Sequence, residues 1–420
     1  MEARIAKSRA VGVVRPPGSK SYTIRAVLCA ALADGSTTVH GALQSDDSSA
    51  ILSCVRGLGA RADDADGQIM IRGLGGSARS SELHCGESGA TFRFLLAIAA
   101  AMPVRTIVRC APSLARRPVR PLLASLEELG AMCELDSASG TVTVIGTTRR
   151  GGDVRLKAGV SSQFLSGLLL SGPLYPEGLD VHLDAPTVSQ RYVAMTLQTM
   201  YAFGAKVEVS EGGRHYRVAP AKYRSTEYIV EADWSAAAPL LALGAMGGDV
   251  IVEGIGAESL QADVRALVLL RSAGARLEPV QGGFRATGAS LRAYEMYIDD
   301  AIDLLPIGCA VGAVAQGNSV VRGIERARDK ESDRVAAMED GLNRCSVPVS
   351  VEKNRMLVTG GSARGSRVSS FNDHRVAMAF GVLGSATGGM IVEDAGCVAK
   401  TYPGFWDDLC SLGVEVERSE

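Results

Sequence analysis

The sequence lacks long apolar runs, paired cysteines and an excess of either charge. Its apolar stretches 94–102 and 236–248 are too short to span a bilayer, so we expect no membrane segment. The nine cysteines are scattered without a C-x-x-C pair, which favours a reducing cytosol over a disulfide framework or a zinc site. The 44 Lys+Arg and 46 Asp+Glu leave a formal charge of −2, which argues against a general nucleic-acid binder. Any affinity for anions must therefore come from local placement of positive groups.

What the chain does have is length and an ordinary globular composition. Its 420 residues suggest two or three domains. Hydrophobic residues make up 46% and charged residues 21%, as in folded soluble proteins of average composition. A chain of this length can bury a substantial core.

A repeat of about seventy residues runs through the whole chain. One marker is a glycine that ends a helix-like stretch, and it recurs as Gly59, Gly130, Gly204, Gly274 and Gly413. The last interval is two periods long, and Leu342-Asn343 is the predicted substitute between them. A second marker is a glycine before a β-branched run, found as Gly35, Gly178, Gly248, Gly317 and Gly389. Six such units account for the chain.

Each unit predicts the same order of elements. A helix comes first, and in the first unit Ile24, Val27, Leu28 and Ala31 have the spacing of one buried helix face. A glycine turn, a β-branched strand, a second helix and another strand follow. The pattern predicts helix-backed sheets in an α/β protein, with six units grouped as two domains of three.

The predicted start of the first helix in each unit carries polar residues. These starts are Ser19-Lys20-Ser21, Glu87-Ser88-Gly89, Ser161-Ser162-Gln163, Asp233-Trp234-Ser235, the acidic stretch 299–303, and Asn372-Asp373-His374-Arg375. Helix capping explains the serines and aspartates. It does not explain Lys20, Gln163, His374 and Arg375. If the units are arranged quasi-symmetrically, these helix N-termini meet at a common cleft that favours an anionic ligand.

Two charged segments have alternative interpretations at this stage. The stretch 17–21 is similar to a phosphate loop but fails its glycine pattern, which disfavours a nucleotide triphosphatase. A lone lysine there is usually solvated, yet Ser21 and Arg25 share one helix face. The stretch 328–334 is either a solvated helix face or a surface that presents a carboxylate with two cations.

Together these segments resemble the 5-enolpyruvylshikimate-3-phosphate synthase (3-phosphoshikimate 1-carboxyvinyltransferase) family between Pro17 and Pro403. The matching segments also include Arg93, Arg117-Pro118, Ile302-Asp303, Arg328 to Arg334 and Lys400-Thr401-Tyr402-Pro403. Any one of them is weak evidence, but all of them in order with the family's spacing are highly specific.

The resemblance implies both a fold and a reaction. The fold is two inside-out α/β barrel domains, each of three β-α-β-α-β-β repeats, with the active site in the interdomain cleft. Residues 19–230 would form one domain with most of the shikimate 3-phosphate site. Residues 1–18 and 231–420 would form the other, with the catalytic carboxylates and much of the phosphoenolpyruvate site. The reaction transfers the enolpyruvyl group of phosphoenolpyruvate to the 5-hydroxyl of shikimate 3-phosphate and releases phosphate.

The resemblance also assigns residues to the two substrates. Shikimate 3-phosphate would be held by Lys20, Ser21, Arg25, Ser161, Ser162, Gln163, Ser189, Tyr192, Asp303 and Lys330. Phosphoenolpyruvate would be held by Lys20, Gly89, Arg117, Gln163, Arg334, His374, Arg375 and Lys400. Both substrates are anions, and bidentate arginine suits phosphate and carboxylate groups.

The expected chemistry is addition to the enol double bond followed by elimination of phosphate. Asp303 is the candidate base for the 5-hydroxyl, and Glu331 with Lys20 the candidate for proton transfer at the methylene carbon. Lys400 or His374 would assist the departure of phosphate. Cations should lower the pKa of these carboxylates while burial raises it, and the sequence leaves the balance open. We expect no metal, no cofactor and no nucleic-acid or membrane partner, only the two small-molecule substrates, and a cytoplasmic monomer.

Some positions depart from the family pattern, and other interpretations compete with it. Glu87, Ala90 and Phe94 replace residues common in relatives, behind the expected phosphoenolpyruvate site, which leaves sensitivity to the inhibitor glyphosate open. A sister transferase acting on UDP-N-acetylglucosamine would have a cysteine where Pro112 stands, whereas Cys110 lies seven residues before Arg117. A non-catalytic anion-binding protein would be expected to lose the catalytic residues, and a purely structural repeat leaves the polar helix starts unexplained.

Overall fold

The computed structural model describes residues 1–65, 67–75, 78–148, 150–157 and 159–419. The strands are β1 Glu2–Ile5, β2 Val11–Val14, β3 Ser36–His40, β4 Arg61–Ala65, β5 Gln68–Arg72, β6 Ser81–His84, β7 Arg105–Arg109, β8 Met132–Asp136, β9 Thr141–Ile145, β10 Gly152–Leu156, β11 Leu179–Leu183, β12 Val207–Val209, β13 His215–Val218, β14 Glu227–Ile229, β15 Asp249–Glu253, β16 Arg276–Val280, β17 Gly283–Thr287, β18 Glu295–Tyr297, β19 Gly317–Arg322, β20 Val349–Glu352, β21 Arg355–Gly360, β22 Arg367–Ser369, β23 Met390–Glu393 and β24 Val416–Ser419.

The α-helices alternate with these strands, and short 3-10 turns precede or follow some of them. The helices are α1 Lys20–Leu32, α2 Asp46–Leu58, α3 Gly89–Ala100, α4 Pro112–Ala115, α5 Arg120–Glu128, α6 Ser162–Ser171, α7 Gln190–Ala202, α8 Trp234–Ala245, α9 Ala266–Ser272, α10 Leu305–Val314, α11 Arg334–Arg344, α12 His374–Thr387 and α13 Phe405–Ser411. The 3-10 turns are Gly172–Leu174, Ala262–Arg265, Ile302–Leu304, Glu325–Asp329 and Ala395–Lys400.

The chain divides into two compact units. One is residues 18–231, and the other is residues 1–17 together with 232–420. Each unit contains three four-stranded sheets within the described residues.

The sheets of unit 18–231 follow one plan. Their strand orders are β14-β3-β5-β4, β6-β7-β9-β8 and β10-β11-β13-β12. The first two strands in each order pair in parallel, and the rest pair antiparallel. A parallel pair needs a crossover, which the first helix of each repeat provides between β6 and β7 and between β10 and β11. The edge strand β14, near the end of the unit, completes the first sheet.

The other unit repeats this plan, although its chain is interrupted. Its sheets are ordered β2-β15-β17-β16, β18-β19-β21-β20 and β22-β23-β1-β24. Strand β2 pairs in parallel with β15 across the inserted unit, and β1 completes the last sheet by pairing with β23 and β24. The predicted α/β fold with three β-α-β-α-β-β repeats per unit is confirmed.

Helices form the interior of each unit and sheets its outside. In unit 18–231, α3 packs against α1 and α6, and in the other unit α12 packs against α8 and α10. These helices are buried around most of their circumference, as the apolar runs in their sequences require. The sheets have one buried and one solvated face: in β5, Ile69 and Ile71 are buried while Met70 is 54% exposed.

The glycine marker of the repeat has a conformational cause. The residue after each second helix is left-handed, for example Gly59 at φ 114°, which glycine adopts without strain. In the fifth repeat, the prediction that Leu342-Asn343 takes the place of the helix-ending glycine is wrong. Ser346 takes this conformation at φ 62°, and Val347 N–H then bonds back to Leu342 C=O. A left-handed serine costs about 1–2 kcal/mol, which the surrounding fold must supply.

The cysteines, the apolar helices and the acidic side chains can each be described within the part of the chain that the structure covers. The nine cysteines are all free; seven are buried, Cys133 is intermediate and Cys410 is exposed. Among the described residues, no helix is both long and apolar enough to cross a membrane. The same residues contain no group of three or more histidine, cysteine or acidic side chains able to hold a metal ion.

Candidate active site

Arg334 is the centre of a charged cluster in unit 1–17 with 232–420. Its side chain is 1% exposed at the start of α11, where Asp333 caps the helix. The guanidinium donates from Nη1 to Asp303 Oδ1 at 2.6 Å, from Nη2 to Glu331 Oε2 at 2.9 Å and from Nε to Asp373 Oδ2 at 2.8 Å. Burial opposes the charge of Arg334, but the three carboxylates outweigh it and raise the pKa well above its usual value. Arg334 is therefore not part of a solvated helix face.

Three cationic side chains lie close to the carboxylate of Asp303. Lys330 Nζ lies 3.5 Å from Oδ1, Arg334 bonds to the same oxygen, and Arg375 Nε lies 3.9 Å from Oδ2. Burial alone would raise the pKa of Asp303, but the charges of Lys330, Arg334 and Arg375 together hold it well below its usual value. The sequence left open whether burial or nearby cations would dominate the pKa of the carboxylates, and for Asp303 the cations dominate. The predicted surface with one carboxylate and two cations exists, and it includes Asp303.

Two helix starts, those of α8 and α12, lie next to Arg375. Asp233 caps α8 by accepting from Ala236 N–H, and Asp373 caps α12 by accepting from the N–H of Arg375. The Arg375 side chain is 5% exposed, and its Nη2 lies 3.9 Å from Asp233 Oδ1. Its Nε and Nη1 are buried and make no hydrogen bond to the described part of the chain. A buried N–H donor without a hydrogen bond costs free energy, so an anion that accepts hydrogen bonds from these groups would be stabilised.

The remaining predicted residues of this unit lie at the same end. His374 is buried as the first residue of α12, next to Arg375. Lys400 ends the 3-10 turn Ala395–Lys400, and its Nζ donates to the carbonyl of Asn372 at 2.8 Å. The two motifs that contain His374 and Lys400 are therefore adjacent in space, although 26 residues separate them.

In unit 18–231, Lys20 is the first residue of α1. Its Nζ lies 3.2 Å from Asp47 Oδ2, and the two side chains are 22% and 10% exposed. Asp47 belongs to the first turn of α2. A half-buried ion pair holds the ammonium group in place near the surface, so Lys20 is neither freely solvated nor deeply buried.

Arg25 bonds to the interior of the unit. Its guanidinium donates to Thr196 Oγ1 at 2.8 Å, Ser21 C=O at 2.8 Å and Tyr192 C=O at 3.1 Å. It also lies over the ring of Phe94, 5.1 Å from the centroid. Burial lowers the pKa of Arg25 to about 10, so the group remains charged at neutral pH. Arg25 thus links the backbone of two predicted site residues, Ser21 and Tyr192. Phe94, one of the positions that depart from the family pattern, lies against its guanidinium.

Arg93 connects a second group of site residues. Its Nη1 donates to Gln163 Oε1 and its Nη2 to the carbonyl of Pro118 at 3.1 Å, while the guanidinium lies over Phe164. A Cβ added at Gly89 would lie 3.1 Å from Arg93 Nη1 and 3.7 Å from Gln163 Oε1. Gly89, Gln163 and the Arg117-Pro118 segment therefore lie together around Arg93.

The serines of the site occupy helix starts. Ser161 caps α6 by accepting from Gln163 N–H at 3.3 Å, and Ser162 is the buried first residue of that helix. Ser189 precedes α7 in a left-handed conformation with φ 52°, which is strained for serine and marks a turn that the fold fixes. Tyr192 follows in the first turn of α7, and its N–H bonds to Ser189 C=O.

The capping interpretation of the helix starts holds for only some of them. Ser161, Asp233 and Asp373 accept helix N–H bonds, whereas Ser19 and Ser88 occupy the cap position without a side-chain cap bond. Asp303 lies inside the turn Ile302–Leu304 and bonds to Arg334 instead. Its carboxylate is therefore used for charge pairing.

Several residues of the site had no role assigned from the sequence. Asp373 and Arg93 lie inside segments that match the family, so the sequence did contain a signal that could have assigned them to the site. Asp47 and Asp263 had no such signal, because only the tertiary fold brings them to Lys20 and to Asp303. Glu87, which also departs from the family pattern, accepts a hydrogen bond from the Ser113 hydroxyl at 2.8 Å.

A family model described as EPSP synthase (3-phosphoshikimate 1-carboxyvinyltransferase) matches residues 5–409. The chain belongs to the EPSP synthase family. Its similarity to curated proteins extends over the whole length. It is 37% identical over 420 residues to a 3-phosphoshikimate 1-carboxyvinyltransferase of Dehalococcoides mccartyi, covering 100% of both chains. It is 39% identical over 402 residues to a protein of that name from Thermococcus kodakarensis, covering 96% of this chain and 97% of the relative.

A solved structure of similar fold supports the same membership. The EPSP synthase of Acinetobacter baumannii aligns with a TM-score of 0.83 and 27% identity, covering 99% of this chain and 100% of that one. Both units of the chain are therefore represented in a solved member of the family.

Proposed function

We propose that this chain transfers the enolpyruvyl group of phosphoenolpyruvate to the 5-hydroxyl of shikimate 3-phosphate, releasing phosphate. The observation that carries the proposal is the buried Arg334 bonded to Asp303, Glu331 and Asp373 beside Arg375, in a full-length member of the family. Such a cluster supplies both proton-transferring carboxylates and cations for anionic substrates. The enzyme would act in aromatic amino-acid biosynthesis.

Asp303 is the proposed base. In the free chain its pKa is held well below the usual value, which makes it a weak proton acceptor. Phosphate and carboxylate groups of the substrates would compete for Lys330, Arg334 and Arg375 and so weaken the cations' hold on Asp303. The pKa of Asp303 would then rise, because burial is the opposing cause. Substrate binding would thus itself activate the base.

Glu331 and Lys20 are proposed to handle the proton at the methylene carbon. Addition requires a proton donor to this carbon, and elimination requires the same proton to leave it. The Glu331 side chain is 19% exposed and held by Arg334, which fixes one oxygen. Lys20 belongs to the other unit, so the proposal requires residues of both units in one reaction.

Phosphoenolpyruvate is proposed to take the unused donors. Arg375 has two buried N–H groups available, and Arg334, His374 and Lys400 lie at the same end of their unit. In unit 18–231, the residues proposed for this substrate are Lys20, Gly89, Arg117 and Gln163. Lys400 or His374 would support the departing phosphate.

Shikimate 3-phosphate is proposed to lie against helix starts of unit 18–231. Ser161 and Ser162 begin α6, and Ser189 and Tyr192 begin α7, where N–H groups and the helix dipole favour a phosphate. Lys20, Ser21, Arg25 and Gln163 complete this set, with Asp303 and Lys330 from the other unit. The internal bonds of Arg25 support a role in holding Ser21 and Tyr192.

The first test is phosphate release from the purified chain. We expect release with phosphoenolpyruvate and shikimate 3-phosphate together, and none when UDP-N-acetylglucosamine replaces the shikimate. Release only with the sugar nucleotide would identify the sister transferase instead. Binding of shikimate 3-phosphate without any release would contradict catalysis and indicate an anion-binding protein.

Gly89→Ala should weaken phosphoenolpyruvate binding without unfolding the chain. The new methyl group would come within 3.1 Å of Arg93 Nη1 and 3.4 Å of Leu114, so the Arg93–Gln163 contact must shift. We expect KM for phosphoenolpyruvate to rise about tenfold, the loss of one hydrogen bond. Gly256→Ala is the matched control, since its Cβ would meet open space. Equal KM values for the two variants would remove Gly89 from the proposed site.

We propose that the enzyme acts in the cytosol as a monomer. The free cysteines, seven of them buried, support a reducing compartment. The reaction as written needs the two small-molecule substrates and no nucleic acid.

A further inference from the structure

Three left-handed residues lie just beyond the ends of two neighbouring strands. Strands β22 and β23 pair in parallel, with Ser369 opposite Glu393, and a turn follows each of them. Phe371 and Asn372, after β22, have φ values of 52° and 56°, and Asp394, after β23, has a φ of 54°. None of the three is glycine, so bonds from the surrounding structure must maintain both turns.

The two turns lead into the segments that carry proposed site residues. The turn after β22 leads into α12, whose second residue is Arg375. Asp394 directly precedes the 3-10 turn that ends in Lys400. The Nζ of Lys400 donates to the carbonyl of Asn372 at 2.8 Å, so this cation itself contacts the turn before α12. The placement of Lys400 and Arg375 therefore depends on how the two turns are held.

One buried hydroxyl bonds to both turns. Ser370 directly follows β22 and is 0% exposed. Its Oγ accepts from the N–H of Asn372 at 3.2 Å and donates to the carbonyl of Asp394 at 3.3 Å. The thiol of Cys397 lies 3.6 Å from the same oxygen. This hydroxyl thus joins the backbones of two left-handed residues that are 22 positions apart along the chain.

We propose that Ser370 is a positioning residue, whose hydroxyl holds the two turns together and thereby places Lys400 and Arg375 for phosphoenolpyruvate. The inference rests on the proposed function, which assigns both cations to this substrate. Without the hydroxyl, Asn372 can leave its left-handed conformation, and its carbonyl then turns away from Lys400. The segment that begins at Asp394 also loses its bond to the turn before α12. Both cations would stay charged, but their separation would no longer be fixed.

Removal of the hydroxyl should leave the chain folded, because each turn has further bonds. The indole Nε1 of Trp406 donates to the carbonyl of Ala395 at 3.0 Å. The Oγ of Ser369 accepts from the N–H of Phe371 at 3.0 Å. Ser370→Ala therefore removes the connection between the two turns and keeps the attachment of each turn to its unit.

Steady-state kinetics test the placement of the cations. In Ser370→Ala, KM for phosphoenolpyruvate should rise about tenfold, because hydrogen-bond donors to this substrate are misplaced. KM for shikimate 3-phosphate should stay within about twofold. A merely structural role would instead lower the fraction of active enzyme, which reduces kcat and leaves KM unchanged. Ser370→Thr, which keeps the hydroxyl, should retain the KM values of the unmodified chain.

Ser385→Ala is the matched control. Ser385 is a buried serine of α12, and its hydroxyl donates to the carbonyl of Val382 in the same helix at 2.7 Å. Its replacement also removes one buried hydroxyl but contacts neither turn, so KM for phosphoenolpyruvate should not change. Equal KM values in Ser370→Ala and Ser385→Ala, in a chain that releases phosphate, would overturn the inference and leave the proposed function standing.

Hydrogen exchange tests the connection between the turns without substrate. In Ser370→Ala, the amides of 370–376 and of 394–401 should both exchange about tenfold faster, because the shared hydroxyl no longer restrains either segment. Ser385→Ala should change neither segment. Faster exchange in only one segment, or in neither, would show that Ser370 does not join the turns and would overturn the inference. If both segments exchange faster but no substrate pair releases phosphate, the connection is supported and the proposed function fails.

Discussion

Replacing Asp303 with asparagine should lower kcat about 10³-fold. The substitution keeps the size of the side chain but removes the proposed base, and general base catalysis contributes roughly 10²–10⁴-fold. It also leaves Lys330 and Arg334 without one of their carboxylate partners. The measurement is steady-state phosphate release with both substrates at saturating concentration.

Asp340→Asn provides the matched control for this variant. Asp340 lies on α11 and pairs with Arg344 at 2.8 Å, and the two side chains are 40% and 56% exposed. The same chemical change there should leave kcat within about twofold, as exposed pairs contribute little. If Asp303→Asn kept activity within tenfold of this control, another group would be the base, and Glu331→Gln would be the next variant to measure.

The acid side of the stability curve checks that Asp303 is ionised. Its pKa is lowered in the folded chain, so its stabilising contribution is present at neutral pH and disappears as pH falls towards the folded value. The unmodified chain should therefore lose more stability on acidification than Asp303→Asn does. Parallel stability curves would contradict the charge state derived from the cluster.

Arg334→Met should both abolish activity and destabilise the chain by about 3–5 kcal/mol. Removing one partner of a buried ion pair leaves uncompensated buried charge, and here three carboxylates lose the same cation. Denaturant unfolding at neutral pH gives the stability, and phosphate release gives the activity. Arg334→Lys should recover part of the stability but little activity, because one ammonium group cannot reproduce the planar fork that reaches three segments.

Arg344→Met is the control on the same helix. The Arg344 side chain is 56% exposed and forms one pair with Asp340. Its replacement should change the free energy of unfolding by no more than about 1 kcal/mol. Equal unfolding free energies for the two variants would show that the carboxylates around Arg334 are not held as charged groups.

Comparison of sequence and structure shows how far local patterns reach. The glycine period predicted the six repeats because a left-handed helix end has a strong preference for glycine, as at Gly59 and Gly274. It failed at Ser346, where the fold imposes the same conformation on another residue. Spacing also predicted that Lys330, Glu331 and Arg334 share a surface, since these positions are close along the chain.

Other features of the site depend on residues far apart in sequence. Lys20 pairs with Asp47 and Arg93 with Gln163, contacts that cross helices of different repeats or different halves of one repeat. The helix-capping pattern could not distinguish Asp303, which pairs with Arg334, from Asp373, which does both. A polar residue at a helix start has the same local signature in either case.

The sequence by itself determined the α/β repeat, the family and the set of charged residues, because these follow from periodicity and from motifs that are local in the chain. Tertiary structure decided in which direction the pKa of each carboxylate moves. Asp303 and Asp263 are the same residue type, yet Asp303 has three cations around it and Asp263 has burial and a neighbouring negative charge. A pKa depends on the sum of burial and surrounding charge, and only the folded chain fixes that sum.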